Sequence, residues 1–299
     1  MTIRAASYFA ALGIMWGIPY LFTSIAVEEL SPFVIVMGRC VIGTLALLPF
    51  AIRSGDLRAA LKRWPYILAY AAIEMVIAWL LLVNAQQYLP SSLAGLLVAA
   101  LPIFATVLAL LLRIERRITL RRIIGLLLGL TGVGILSVVG AGGYNGFGVR
   151  PVLQVLMTAM CYAVGPMIIA KKLQGISPLA VNAVSLTFAS IMHAPLGLTN
   201  LPARMPSGGA IGSVLVLGLV PTAIAFVVFF KLIAEVGPAP STVITYINPG
   251  VALLAGIIFL GEQMTRAIWI GFPMVLLGAF LATWRIHSAR DSEIEPLPG

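Results

Sequence analysis

Charge is scarce in this 299-residue chain. Lys, Arg, Asp and Glu together make up 10% of it, against about 25% in an ordinary soluble domain. Composition therefore excludes a soluble enzyme or binding module and implies a polytopic membrane protein. Acid is scarcer than base, with 10 Asp and Glu against 19 Lys and Arg. The resulting charge of +9 is spread over short loops, which makes it topology information and not a nucleic-acid footprint. The two cysteines, Cys40 and Cys161, both fall in apolar stretches. They read as small buried hydrophobes and build no disulfide, zinc or thiol-catalysis pattern. His193 reads as a packing residue and His287 as a solvated tail residue. The apolar spans contain no aspartate, one histidine and one glutamate. An intramembrane enzyme needs clustered Ser/His/Asp, paired aspartates or metal ligands, so that class is only a distant alternative and no metal or cofactor is implied. No glycine-rich phosphate loop is present, which excludes ATP-driven transport by this chain alone. The lack of charged rings or a carbonyl filter motif disfavours a channel.

Long apolar runs are what the chain has in abundance, and 61% of it is hydrophobic. A membrane helix needs about 20 mostly apolar residues. Ten segments meet that rule: 6–26, 32–52, 65–84, 91–112, 122–140, 150–170, 179–198, 211–231, 239–259 and 267–285. Their continuity favours helices over the alternating strands of a barrel. Fifteen Lys and Arg, from Arg4 to Arg290, flank one set of loops, whereas Arg150, Arg204 and Arg266 flank the other. That bias predicts both termini in the cytoplasm. Span 1 is too long for a signal-peptide core, and Glu28-Glu29 follows it with no small-residue cleavage site, so it reads as a retained helix. The tail 287–299 is polar and reads as a disordered cytoplasmic end.

The second half repeats the first. Pro19, Pro102 and Glu115 recur 147 residues later as Pro166, Pro249 and Glu262. Ser31-Pro32, Pro49, Thr119, Gly125 and Gly132 recur 146 residues later as Ser177-Pro178, Pro195, Thr265, Gly271 and Gly278. Each copy carries five spans, and an odd number leaves the second copy upside down, as in many transporters. The expected organisation is an all-α polytopic membrane protein of ten transmembrane helices. Residues 1–145 would form one five-helix repeat and residues 146–286 a second, inverted one. Pro19, Pro102, Pro166 and Pro249 fall near mid-depth. Each removes a backbone donor, and such defects are tolerated where other helices or a cavity satisfy the backbone. They are candidate hinges around a midplane cavity. Glu115 with Thr119, and Glu262 with Thr265, read as caps on spans 5 and 10. The glycine rows of those two spans permit close helix packing, either within a monomer or across a homodimer seam.

The candidate binding residues break the repeat. Arg39 and Glu74 are the clear intramembrane charges, about 10–15 Å below the outer surface at roughly 1.5 Å per residue. Either they form a structural ion pair or Glu74 stands in a cavity, holding a substrate ammonium or a proton. Trp16, Tyr20, Trp79, Tyr162, Thr222, Phe226, Tyr246 and Asn248 cluster at similar depth, deeper than an interfacial aromatic belt. With Glu74 they make a candidate site for a flat apolar small molecule with a polar head. Internal helix–helix hydrogen bonding is the alternative use for them. A lone arginine argues against anionic substrates, and a lone glutamate with aromatics leaves zwitterions and organic cations.

Trp16-Gly17, Pro102 followed by Glu115, and Pro249 followed by Leu260-Gly261-Glu262, together with glycine-rich spans 5 and 10, resemble the drug/metabolite transporter superfamily. The likeness is to its EamA-like members and covers nearly the whole chain. The length and aromatic pattern look most like the aromatic amino acid exporters of the YddG type. The resemblance implies amino acid export across the bacterial inner membrane. It implies a central, largely apolar cavity between spans 1–4 and 6–9, with spans 5 and 10 to the side. Alternating access between the repeats is the expected mechanism. Multidrug or organic-cation efflux, proton-coupled through Glu74, is the alternative.

Overall fold

The computed structural model describes residues 2–112, 119–142, 148–236 and 244–283, without the side chains of 138–142 and 283. Glu115, Ser241-Thr242 and the tail 287–299 lie outside the described residues. All described secondary structure is helical. Eight stretches are long and apolar enough to cross a membrane, and Ile244–Leu260 and Arg266–Ala282 are shorter apolar helices. Leu45, Leu127, Ile191, Ile258, Phe259 and Trp269 are more than half exposed. Such a surface suits lipid and not water.

The first span is two helices, α1 (Ile3–Gly17) and α2 (Pro19–Ala26). The second is α3 (Pro32–Arg53), opened by Ser31, whose hydroxyl accepts from the Val34 amide. A short α4 (Leu57–Lys62) leads to α5 (Trp64–Ala71), a π-helical segment (Ala72–Ile77) and α6 (Ala78–Ala85). Then come α7 (Ser91–Val98), α8 (Leu101–Leu111) and α9 (Leu120–Gly142). The second half holds α10 (Val149–Lys172), α11 (Pro178–Thr199) and α12 (Gly208–Leu219). A second π-helical segment (Val220–Ile224) joins α12 to α13 (Ala225–Val236). The described chain ends with α14 (Ile244–Leu260) and α15 (Arg266–Thr283).

The four repeated prolines do not share one geometry. Pro19 and Pro102 stand at the first turn of a new helix after a break, where a missing N–H costs nothing. Pro166 and Pro249 lie inside continuous helices. The glycine rows are used within the chain. A Cβ on Gly125 would meet the backbone of Ala282 and Gly278 at 2.6 and 2.8 Å, and one on Gly132 would meet the Gly271 carbonyl at 2.8 Å. Thus α9 and α15 pack backbone to backbone, beside α7 and α8.

Thr119 and Thr265 cap α9 and α15 as expected, accepting from the Arg122 and Ile268 amides. Glu262 does something else. Its carboxylate crosses to α7 and accepts from the Ser91 and Ser92 amides at 2.6 and 2.9 Å. The residue before α7 is Pro90, which offers no side-chain cap. The orphan donors of that helix start are therefore satisfied from 170 residues away. Gly261, at φ +65°, makes the left-handed turn that swings Glu262 back, a conformation costly for any residue with a Cβ. On another loop, Glu29 accepts from the Ser207 amide at 2.7 Å at the start of α12.

Candidate functional site

The two π-helical segments fall 147 to 148 residues apart, at matching places in the sequence repeat. A π turn holds an extra residue and loosens the backbone ladder, and such turns concentrate at functional sites. The cause of the second is visible. Pro221 has no N–H to give the Leu217 carbonyl, and the Thr222 hydroxyl supplies the bond instead, at 2.8 Å. The Thr222 oxygen then accepts from Arg39 Nε at 2.9 Å. Trp16 Nε1 donates to the Pro221 carbonyl at 3.1 Å. The Trp16 ring stands edge-on to Phe226 at 5.9 Å, and Phe229 is 5.0 Å away. The first π segment carries Glu74.

Arg39 is 9% exposed. Its guanidinium lies 3.7 Å from the centroid of the Trp79 ring, a cation–π contact. Among the described residues it makes one hydrogen bond, through Nε. The ion pair expected between Arg39 and Glu74 is not formed. Their side chains leave adjacent spans, but stacking on Trp79 and bonding to Thr222 hold Arg39 toward α6 and the second π segment. Glu74 is half-buried and faces α10, where a Cβ on Gly165 would collide with Oε2. Oε2 is buried without a hydrogen-bond partner. Tyr162, one turn before Gly165, lies within electrostatic reach of Arg39, Glu74 and Tyr20. Arg39, Trp79, Thr222, Trp16 and Phe226 therefore form one connected group, with Tyr162 and Glu74 nearby.

The remaining predicted residues lie toward α7 and α14. The Tyr20 ring packs beside Gly95, whose Cβ would meet it at 3.4 Å. Its carbonyl accepts from Gln86 Nε2 at 2.8 Å. Tyr246 packs against the same apolar cluster as Tyr20. Asn248 sits where α14 crosses α1, its backbone oxygen 3.1 Å from a Cβ on Gly17, and its Oδ1 is buried without a partner. No described contact joins Tyr246 or Asn248 to Arg39 or Glu74. His193 is buried and hydrogen-bonds the backbone of Met75 in the first π segment, a packing role.

Several polar contacts escape sequence reading. Gln86 also donates to Ser24, Gln154 donates to Asn84 at 2.9 Å, and Thr158 donates to the Ala78 carbonyl. The Pro221-Thr222 dipeptide was the one available signal for a backbone defect in span 8. The first π segment, Ala72–Ile77, has no comparable mark in its sequence. Among the described residues no group of His, Cys, Asp and Glu could hold a metal ion.

The model of the EamA-like transporter family matches residues 3–138 and again 149–284. The chain is 26% identical to the uncharacterized transporter YvbV of Bacillus subtilis, over 97% of this chain and 95% of that one. It is 26% identical to the uncharacterized inner membrane transporter YedA of Escherichia coli, over 91% and 88%. A probable terminal-alkyne amino-acid exporter of Streptantibioticus cattleyicolor is 27% identical over 85% of each chain. One solved crystal structure, 20% identical, superposes with a TM-score of 0.66 over 93% of this chain and 96% of that one, a likeness of fold alone.

Proposed function

Since the chain belongs to the EamA-like transporters of the drug/metabolite transporter superfamily and is a multi-pass protein of the bacterial inner membrane, we propose that it is a secondary transporter exporting amino acids, neutral and aromatic ones among them, or related small metabolites. The observation that carries this reading is the mid-depth group around Arg39 and Glu74. Two ionisable side chains removed from lipid, not paired with each other, and framed by Trp16, Trp79, Tyr162 and Phe226 are costly to keep unless a ligand uses them. In this reading the ten apolar helices span the membrane as two inverted repeats, 1–145 and 146–286, with both termini cytoplasmic. The repeats rock about the site in alternating access. The helix breaks at Pro19 and Pro102 and the missing backbone donors of Pro166 and Pro249 inside their helices supply the give. The amino-acid exporter among the relatives supports the substrate class. Counterflow of a radiolabelled amino acid panel in proteoliposomes tests it, with uptake expected for aromatic and aliphatic members. No signal above empty liposomes for any of them sinks the reading.

The buried, unpartnered Oε2 of Glu74 favours one second reading, efflux of organic cations coupled to protons through that carboxyl. Glu74→Gln would then abolish the pH dependence of transport. Retained pH dependence in that variant removes the coupling.

A further inference from the structure

A guanidinium stays charged at any pH a protein meets, so Arg39 brings a permanent positive charge into the bundle. Burying it without a carboxylate is expensive. The Trp79 face offsets part of that cost, and the Thr222 hydroxyl takes Nε. These two contacts also fix the plane of the group. The edge bearing the two terminal nitrogens makes no hydrogen bond among the described residues. That edge is the fork that takes a carboxylate through two parallel bonds.

Glu74 presents the complementary vacancy. Its Oε2 is buried and unpartnered, pressed to the backbone of α10 at Gly165. Tyr162 is within reach of both charges. Gly165 lies three residues beyond it, about 4.5 Å of helical rise. Trp79, on which the Arg39 guanidinium lies, is five residues beyond Glu74 on the same span, about 7.5 Å of rise. Both groups are thus within reach of the one tyrosine, and each lacks a partner of opposite sign.

We propose that Arg39 and Glu74 form a split clamp for a zwitterion, in which Arg39 takes the α-carboxylate and Glu74 the α-ammonium of an amino acid. The inference rests on the amino acid reading above and assigns its headgroup chemistry. A zwitterion satisfies both charges while adding none. An amine alone leaves Arg39 bare, and a carboxylic acid alone leaves Glu74 bare. A site built to pair both ends rejects a ligand lacking one, because its own buried group is then stranded. Trp16 and Phe226, joined to Arg39 through Pro221 and Thr222, stand where a substrate side chain meets aromatic surface.

The test is binding to the purified full-length protein in nanodiscs by calorimetry, with L-phenylalanine, phenethylamine and 3-phenylpropionate as probes. Phenylalanine is expected to bind at least about 100-fold tighter than either analogue. Arg39→Gln should erase the preference for phenylalanine over phenethylamine. Glu74→Gln should erase the preference over 3-phenylpropionate while leaving the other intact. Arg39→Lys keeps the charge and loses the fork, so phenylalanine should weaken by about 10-fold. This variant serves if Arg39→Gln does not fold, and the three-probe series on the unmodified protein needs no variant. Equal binding of phenylalanine and phenethylamine, or a ratio unmoved by Arg39→Gln, overturns the clamp. If amino acids are transported without this discrimination, the clamp alone fails. If no amino acid is bound or transported, the exporter reading fails and the clamp with it.

Discussion

Glu262 is expected to hold the start of a helix in the other half of the chain, and its removal has a calculable cost. Ser91 and Ser92 are 0% and 1% exposed, so their amides have no water to turn to. Glu262 accepts from both at 2.6 and 2.9 Å, and Pro90 contributes no cap of its own. Losing an N-cap costs about 0.5–2 kcal/mol. Leaving a buried donor unsatisfied costs about 1–3 kcal/mol, and two donors are involved. Glu262→Ala should therefore destabilise the protein by about 2–4 kcal/mol. Glu262→Gln keeps one carbonyl oxygen, so about half of that loss is expected. Thermal unfolding in detergent, followed by tryptophan fluorescence, should rank the wild type above Glu262→Gln and Glu262→Ala lowest. Hydrogen exchange supplies the local check. Peptides covering residues 89–94 should lose protection in Glu262→Ala, while α11 is unaffected. Unchanged exchange at Ser91 and Ser92 would refute the reasoning, whatever the melting temperature does.

Three further outcomes follow from the same geometry. Thr222→Val removes the donor to Leu217 and the acceptor for Arg39 together, so a loss of about 1–3 kcal/mol is expected, measured by denaturant unfolding. Gly165→Ala places a methyl against Glu74 Oε2; transport in proteoliposomes should fall at least about 10-fold with the fold retained, and wild-type rates would refute the contact. On the loop between α2 and α3, the bonds from Ser207 hold the Glu29 carboxyl below the usual carboxylate range. Its contribution to stability is therefore present above the unfolded-state value and is lost as pH falls through the folded one. Glu29→Gln should lower stability slightly at neutral pH and leave it unchanged at low pH, which flattens the acid limb of the stability profile.

The sequence made the helices legible because lipid-facing and buried positions are both apolar, so length alone marks a span. The defect at Pro19 and the cap at Thr265 were legible too, since local chemistry dictates them. Long-range partners were not. Arg39 and Glu74 are the nearest pair of opposite charges along the spans, yet Trp79 and Thr222 take the arginine. Which way a side chain leaves its helix depends on packing between spans far apart in the chain. Glu262 departs from the sequence expectation for a related reason. Its place before α15 points to a local cap, but the left-handed turn at Gly261 sends it to α7. The matched prolines hide a difference as well, because the same residue starts a helix at Pro102 and lies inside one at Pro249.

The Glu262 contact also constrains how the protein is made. Ser91 and Ser92 enter the membrane well before their acceptor is synthesised, since 171 and 170 residues separate them from Glu262. During that interval the start of α7 lacks the acceptor that it uses in the finished fold. That helix start therefore depends on a residue made only after α14. A split protein with a gap before residue 149 should assemble only when both pieces share a membrane, because each piece brings backbone needs that the other answers.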